Sequence, residues 1–271
     1  MPPLFSIVTA VKPGGEEVLC RAYRSLLQQD LQSWQWLIQL DGPEAEIDKK
    51  IANDKRVSIE SNGRSFGAAI ARNMALSRAQ GEWILPLDHD DLLTPEALSC
   101  LKLMSSNKPQ AQGIAFAAWV LKEGFLMERE AAPFGEGIVP AGVIPDLYRL
   151  RGGHTGIHYN AACYSHQNLL ELGGWPGVAA NEDSQLLTAF CSRWPIIYSH
   201  QPLLVWTHHD GQTHRQDWFD KHRTEVRRLA VRRLAAMAGE PAITVEARIR
   251  LTQTTMTPSK TTLEAIGLGW A

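Results

Sequence analysis

Three carboxylates stand within four consecutive residues, Asp88-His89-Asp90-Asp91, directly after a short apolar run. Carboxylates this close repel one another, and a bound cation relieves that repulsion. An oxygen-rich cluster of this kind suits Mg²⁺ or Mn²⁺. Helix capping is the alternative explanation, but Thr94-Pro95-Glu96 already supplies an N-cap, a proline at the first helical position and a first-turn acid. The cluster therefore predicts a site for a divalent cation or another ligand.

The elements that must position this cluster are predicted by strand and helix patterns that alternate along the first half of the chain. Strands are predicted at residues 4–11, 36–40, 57–60 and 83–87, and helices at residues 16–29, 66–79 and 94–104. In the second helix, Phe66, Ile70 and Met74 recur four apart and predict one apolar stripe. The alternation is typical of a parallel α/β sheet, and the cluster follows the fourth strand, at the end where open α/β sheets bind ligands.

The second half of the chain has less regular patterns. A strand is predicted at residues 114–121, helices at 166–172, 182–191 and 217–238, and further strands at 196–198 and 203–207. Gly239 and Pro241 end the long last helix. Residues 122–159 are rich in Gly and Pro and are predicted to be mostly loop, which in a compact domain indicates a binding region or a lid.

Composition narrows the class of protein. The 271 residues are 44% hydrophobic and 21% charged, with a formal net charge of −2, which excludes a disordered chain and a collagen and argues against a nucleic-acid-binding protein. The four cysteines, Cys20, Cys100, Cys163 and Cys191, form no CxxC pair and predict reduced, packed thiols and a cytoplasmic setting. No basic region precedes the short apolar run at the start, so no signal peptide is expected.

A series of short motifs follows in order between residues 4 and 215. They are Ser6-Ile7-Val8-Thr9, Arg24-Ser25-Leu26-Leu27-Gln28-Gln29, Asp41-Gly42, Asn62-Gly63, Ala71-Arg72-Asn73, Gly81-Glu82-Trp83-Ile84, Leu87-Asp88-His89-Asp90-Asp91 with Pro95, Gly173-Gly174-Trp175, Asn181-Glu182-Asp183 and His209-x-Gly211-Gln212-Thr213. In this order and spacing they resemble the family 2 glycosyltransferases of the GT-A fold. The resemblance implies one GT-A-like α/β domain at residues 1–215, with a Rossmann-like, mostly parallel sheet flanked by helices. Residues 1–110 would bind the nucleotide-sugar, residues 111–215 the acceptor, and residues 216–271 would form a helical C-terminal extension.

The activity that the resemblance implies is metal-dependent, inverting, non-processive transfer of one sugar from a nucleotide-diphosphate sugar to an acceptor hydroxyl. The donor is expected to be uridine-linked and the cofactor to be Mn²⁺ or Mg²⁺. The donor-side residues implied by position are Thr9, Asp41, Arg72, Asp88, Asp90 and His209.

The implied roles of these residues differ. Thr9 and Asp41 would hold the nucleoside, with Asp41 reading the base, although Asp41 before Gly-Pro also fits a simple turn. Arg72 would lie near the diphosphate, or else be a solvated charge, and its neighbour Asn73 is expected to bridge to backbone. Lys12-Pro13 and the single acid at Leu40-Asp41 depart from the family pattern and leave the nucleobase open.

The metal and the diphosphate account for the remaining donor-side residues. Asp88 matches a position near the ribose and Asp90 the position that binds the metal, and both are predicted at the metal site. His209 matches a residue near the diphosphate or the metal. A QxxRW element is missing, because Ala189 stands where Gln would be, before Arg193-Trp194, and this argues against a processive synthase.

On the acceptor side, Asp183 matches the carboxylate that serves as general base in inverting members. Asp183 also stands at the start of a predicted helix, where a carboxylate interacts favourably with the helix dipole and needs no catalytic role. Glu182, Trp175 and His158 are further acceptor-side candidates, although Trp175 also fits a core residue and His158 a structural one. The sequence leaves the chemical nature of the acceptor open.

Residues 217–238 predict a basic amphipathic helix. It either packs on its own domain with a solvated basic face, which we favour, or makes a peripheral membrane contact. Two other functions compete with glycosyl transfer: a catalytically silent nucleotide-sugar-binding subunit, and a sugar nucleotidyltransferase. The second would carry a Gly-rich basic loop after the first strand, and Lys12-Pro13-Gly14-Gly15 is only a faint version of one.

Overall fold

The computed structural model describes residues 2–128, 132–209 and 217–238. Within these residues, ten strands form one sheet. The strands are β1 (Phe5–Val11), β2 (Trp34–Leu40), β3 (Val57–Ser61), β4 (Trp83–Pro86), β5 (Leu92–Leu93), β6 (Gly113–Lys122), β7 (Phe125–Glu128), β8 (Gly137–Val139), β9 (Ala162–Ser165) and β10 (Ile196–His208). The helices are α1 (Leu19–Leu27), α2 (Lys49–Ala52), α3 (Ala68–Leu76), α4 (Ala97–Asn107), α5 (Val143–Leu150), α6 (His166–Leu172), α7 (Glu182–Arg193) and α8 (Asp217–Met237).

The strand order is β3-β2-β1-β4-β9-β6-β10-β5, with β7 beside β6 and β8 beside β10. The first four strands are all parallel, as the alternation of strands and helices predicts. The second half is mixed, because β9 runs antiparallel to both β4 and β6 while β6 and β10 are parallel. The α/β class is confirmed, and the carboxyl ends of β1, β2 and β4 meet at one edge of the sheet.

Apolar clusters cover both faces of the sheet. Ile7 and Leu85 face α1 and α4, whereas their neighbours Val8 and Ile84 face α3, α5, α6 and α7. Successive residues of a strand point to opposite faces, so these buried strands are apolar throughout. This is why the first-half strands are readable as continuous apolar runs.

Helix α3 is rotated relative to its apolar pattern. Phe66, Ile70 and Met74 are 45%, 39% and 47% exposed, and small residues such as Ala69 and Ala75 face the sheet instead. Alanine lets the helix backbone approach β1 and β2 closely, which larger side chains would prevent. The helix itself is confirmed, but the apolar stripe is not its buried face.

The segment 122–159 contains three elements that the sequence did not predict, β7, β8 and α5. They hold fewer than half of its residues, so the prediction that the segment is mostly loop agrees with the structure. Pro145 in the first turn of α5 is compatible with a helix, because the first turn needs no N–H donors there, but it hides the helix from pattern analysis. The two strands predicted at 196–198 and 203–207 form one strand, β10, with an irregular register between them.

Helix α8 packs on its own domain. Val226, Ala230, Leu234 and Ala235 are buried, with Ala230 and Leu234 against Tyr148 of α5. Leu229 and Met237 of the same helix are exposed, and a peripheral membrane contact stays a prediction. Within the described residues, no helix is long and apolar enough to span a membrane.

The four cysteines are free thiols. Gly211-Gln212-Thr213 and residues 239–271 lie outside the described residues.

Candidate active site

Loops at the carboxyl ends of β1, β2 and β4 pack tightly against one another. A Cβ built on Gly15 would lie 2.7 Å from His89 Cδ2, and one on Gly42 would lie 2.8 Å from Pro13 Cγ. Only glycine fits at these two positions without movement of the neighbouring side chains. The loop after β1 is thereby held against both Asp41-Gly42 and the acidic cluster.

Asp41 organises the loop that precedes α3. Its Oδ1 accepts hydrogen bonds from Phe66 N (2.8 Å) and Asn62 Nδ2 (3.1 Å), and its Oδ2 from Gly67 N (2.9 Å) and Ser65 Oγ (2.7 Å). Burial opposes ionisation, but these bonds hold the pKa of Asp41 below its ordinary value. With about four acceptor sites on a carboxylate, all are in use. Asp41 therefore positions the loop before α3, and its proposed contact with the nucleobase stays a prediction.

Three carboxylates meet after β4. Ligand oxygens of Asp88, Asp90 and Asp91 all lie within 4.8 Å of one another. His209 Nε2 lies 2.8 Å from Asp90 Oδ2, which brings together two residues predicted on the donor side. Asn160 Nδ2 donates to Asp88 Oδ2 at 2.6 Å from a loop 72 residues away.

Asp91 is the buried member of the cluster and is 1% exposed. Its Oδ1 accepts a bond from Thr207 N at 2.9 Å, while its Oδ2 is buried without a partner. Burial, together with the charges of Asp88 and Asp90, raises the pKa of Asp91 well above its ordinary value. A buried carboxylate oxygen without a donor, beside two other carboxylates, fits a hard divalent cation. Asp88, Asp90 and Asp91 are therefore the residues that could hold Mg²⁺ or Mn²⁺.

Arg72 joins the acidic cluster after β4 to the acids at the start of α7. It is 4% exposed, donates from Nη2 to Asp88 Oδ1 and from Nη1 to Glu182 Oε1, both at 2.7 Å. Burial opposes its charge, but Asp88 and Glu182 raise the pKa of Arg72, so it stays a cation. The alternative of a solvated charge is wrong, because this guanidinium is enclosed by carboxylates.

Asp183 lies beside that guanidinium at the start of α7. Asn181, which precedes the helix, has a left-handed backbone conformation with φ of 56°, and Ser184 N donates to Asp183 Oδ1 at 2.6 Å. Burial and the adjacent Glu182 raise the pKa of Asp183 to about 7, against the opposing effects of Arg72 and of the Ser184 N–H. A carboxylate with a pKa near neutrality can take up a proton and release it at physiological pH.

Two predicted site residues lie beneath the site surface. Thr9 is fully buried: its hydroxyl donates to Leu87 O at 2.7 Å and accepts from Trp36 Nε1 at 2.8 Å. It supports the strand end that leads into Asp88 and does not contact a ligand, which corrects the expectation for Thr9. The Trp175 ring is 2% exposed and packs in the core, so the prediction that it stacks on an acceptor is wrong.

The backbone of the Gly173-Gly174-Trp175 segment is hydrogen-bonded to α3. Asn73 on α3 donates to Trp175 O and accepts from Trp175 N, both at 2.8 Å, which confirms that Asn73 bridges to backbone. Gly174 has φ of +75°, and a Cβ there would lie 2.3 Å from Asn73 Oδ1. These contacts hold the segment that precedes α7 against α3, the helix that also carries Arg72.

The structure brings Arg72, Asp88, Asp90, Glu182, Asp183 and His209 into one neighbourhood. The His158 ring lies at the edge of this group, 5.2 Å from the Trp206 ring. Sequence analysis missed Asn160 and the partner of Asp91, Thr207 N. Neither has a local signal, because each contact joins residues far apart in the chain.

Comparison with known proteins matches the N-terminal part of the chain to a family. Residues 6–118 match the model of glycosyl transferase family 2. An uncharacterised glycosyltransferase from Methanocaldococcus jannaschii, MJ1057, is 31% identical over 112 residues, which are 39% of this chain and 39% of that protein. The aligned stretch covers no more than 40% of the length of any of five curated relatives.

Solved structures show the same fold over more of the chain. TarS from S. aureus, in complex with UDP-GlcNAc, has a TM-score of 0.64 at 16% identity and covers 87% of this chain and 66% of that chain. A mannosyltransferase from Pyrobaculum calidifontis, in complex with GDP-Man and Mn²⁺, has a TM-score of 0.54 at 14% identity and covers 98% of this chain and 69% of that chain. The GT-A-like fold is confirmed, and residues 6–118 of the chain are similar to glycosyl transferase family 2.

Proposed function

We propose that this protein transfers one sugar, with inversion, from a uridine-linked nucleotide-diphosphate sugar to an acceptor hydroxyl, and that it requires a divalent cation. One observation carries the proposal. Two separate carboxylate groups, the cluster after β4 and the acids at the start of α7, are held on either side of Arg72. Inverting transfer needs one anionic group for the metal and another for the acceptor proton, and this arrangement provides both.

The donor side is built to receive a diphosphate with a cation. Asp88, Asp90 and Asp91 offer the oxygen ligands, and His209 is in contact with Asp90. Mn²⁺ or Mg²⁺ held there would supply positive charge to the leaving diphosphate. The solved neighbours are complexes with UDP-GlcNAc and with GDP-Man and Mn²⁺, both nucleotide-diphosphate sugars, which supports this donor class.

Asp183 is the proposed general base. Its carboxylate would take the proton of the acceptor hydroxyl as the hydroxyl oxygen bonds to the anomeric carbon of the donor. The bond from that carbon to the diphosphate breaks in the same displacement, so the configuration inverts. A pKa raised to about 7 suits this role, since the group is basic enough to accept the proton and still ionised in part at neutral pH. Arg72 orients the neighbouring Glu182 by a hydrogen bond from Nη1 to Oε1 at 2.7 Å.

Two measurements test the proposal. Calorimetric titration of the protein with UDP is expected to show binding with Mn²⁺ that EDTA removes, and Asp90→Asn is expected to weaken that binding. UDP release from a UDP-sugar, with a panel of hydroxyl acceptors, is expected to fall about 10²–10⁴-fold in Asp183→Asn with UDP affinity nearly unchanged. Glu171→Gln, an exposed acid on α6, is the matched control and should match the wild type.

Several results would contradict the proposal. Equal UDP binding with Mn²⁺ and with EDTA would remove the metal from the donor site. Near-normal UDP release by Asp183→Asn would remove Asp183 from the mechanism. Tight UDP binding without turnover on any acceptor would support the silent binding subunit instead.

A further inference from the structure

The hairpin formed by β6 and β7 holds three consecutive apolar side chains in water. Phe125, Leu126 and Met127 are 72%, 53% and 45% exposed. Successive strand residues point to opposite faces, so Phe125 and Met127 share one face of the hairpin and Leu126 lies on the other. Scattered single apolar residues on a surface are ordinary, but neighbouring ones on one face mark binding surfaces.

The strand register shows which side chains lie next to this hairpin. Val120 of β6 pairs with Met127 on one side and with Trp206 of β10 on the other, and Lys122 pairs in the same way with Phe125 and His208. Paired residues on neighbouring strands point to the same face of a sheet. Two adjacent rows result, which we call the β7 shelf: Met127, Val120 and Trp206 in one row, and Phe125, Lys122 and His208 in the other. Three strands at their usual spacing make each row about 10 Å wide.

The β7 shelf adjoins the acidic cluster. Thr207, which follows Trp206, donates its amide to Asp91 at 2.9 Å. The His158 ring lies 5.2 Å from the Trp206 ring, and Asn160, two residues later, donates to Asp88. A ligand lying on the shelf would thus reach the donor site within one or two residues of it.

The side chains of the shelf indicate which chemical class of ligand it would bind. Four of its six side chains are apolar, and it contains no carboxylate or amide side chain with which to bond the hydroxyls of a sugar. We propose that the β7 shelf binds the apolar body of the acceptor. The acceptor hydroxyl is then carried by an alkyl or aryl body, while the Lys122 ammonium at the edge of the shelf lies 4.0 Å from Glu123 Oε1. This inference rests on the proposed function, since it names the acceptor class of that site.

Two probes with the same hydroxyls test the shelf: n-octyl β-D-glucoside, below its micelle concentration, and methyl β-D-glucoside. Their dissociation constants are measured by NMR titration against the full chain loaded with UDP and the diamagnetic cation Mg²⁺. The octyl probe is expected to bind at least tenfold more tightly, because burying even two methylene groups gives that factor. Phe125→Ser and Met127→Ser are expected to reduce the preference below threefold. Leu103→Ser is the control, since Leu103 is 62% exposed on α4 and is not part of the shelf.

Equal affinity for the two probes would overturn the inference, and so would loss of the preference in Leu103→Ser. Light scattering separates the main competing occupant: a dimer that dissociates in Phe125→Ser, with no octyl preference, would assign the shelf to a second copy of the chain. UDP titration of the same samples keeps the two proposals apart. Failure of UDP binding removes the donor assignment, whereas loss of the octyl preference alone removes only the acceptor class.

Discussion

Asp183 should make the protein less stable at neutral and alkaline pH. An acid whose pKa is higher in the folded than in the unfolded protein binds its proton more tightly when folded, so stability is lost as the pH rises. The increase in the pKa of Asp183 from 3.8 to about 7 corresponds to about 4 kcal/mol. Because the charges of Glu182 and Arg72 act on Asp183 in opposite directions, we expect about 2–4 kcal/mol from Asp183 itself. The loss begins near pH 4 and is complete above pH 7.

Asp183→Asn keeps the shape of the side chain and removes its ionisation. The free energy of unfolding, measured by urea denaturation in EDTA without nucleotide, should rise by about 2–4 kcal/mol at pH 8. At pH 4, where the native carboxyl is protonated, the two proteins should differ by less than about 1 kcal/mol. The melting temperature at pH 8 should rise by about 4–12 °C for a chain of this size.

Glu171→Gln on the surface of α6 is the control and should change stability little at either pH. The reasoning is refuted if Asp183→Asn gives no gain at pH 8. It is also refuted if the gain is equal at pH 8 and pH 4, because a gain independent of pH would come from packing and not from ionisation. A gain confined to alkaline pH, accompanied by slower UDP release, would show that the carboxylate is kept at a cost in stability, as is common at active sites.

Two further predictions concern stability away from Asp183. Gly174→Ala should lower the free energy of unfolding by about 2–4 kcal/mol, because the added Cβ would clash with the Asn73 side-chain amide and because Gly174 has a positive φ. Gly177→Ala, with open space around it, is the control in the same denaturation assay. Asp54→Asn should cost about 2 kcal/mol at pH 7, since hydrogen bonds from Arg56 lower the pKa of Asp54 to about 2. That stabilisation exists above pH 3.8 and disappears as the pH falls towards 2, so the wild type and the Asp54→Asn variant should converge in acid denaturation; a constant difference would contradict it.

The donor half was predictable because its elements are determined locally. A buried parallel strand is apolar along its whole length, so β1 and β4 stand out between turns, and an acidic cluster directly after β4 needs no knowledge of the rest of the fold. The orientation of α3 was not predictable in this way. Its buried face is the one that lets the helix lie close to β1 and β2, and Ala69 and Ala75 meet that requirement better than Ile70 and Met74 do.

The missed contacts of the site share one property. Asn160 reaches Asp88 across 72 residues and Thr207 reaches Asp91 across 116, so neither spacing nor periodicity could reveal them. Both contacts come from the second half, where β9 and β10 bring irregular segments back beside β4. Sequence reasoning therefore finds the residues that carry charge and misses the neutral groups that orient them.

Arg72 shows why the two halves of the site depend on each other. The guanidinium is buried, so its charge is tolerable only with both Asp88 and Glu182 in place. Each carboxylate in turn would face other acids without it, Asp88 in the cluster and Glu182 beside Asp183. Moving either loop leaves an uncompensated charge in the interior, which costs about 3–5 kcal/mol when one partner of a buried pair is lost. The acids at the start of α7 are therefore fixed relative to the acidic cluster after β4 by one cation, and the distance between the proposed base and the proposed metal ligands follows from it.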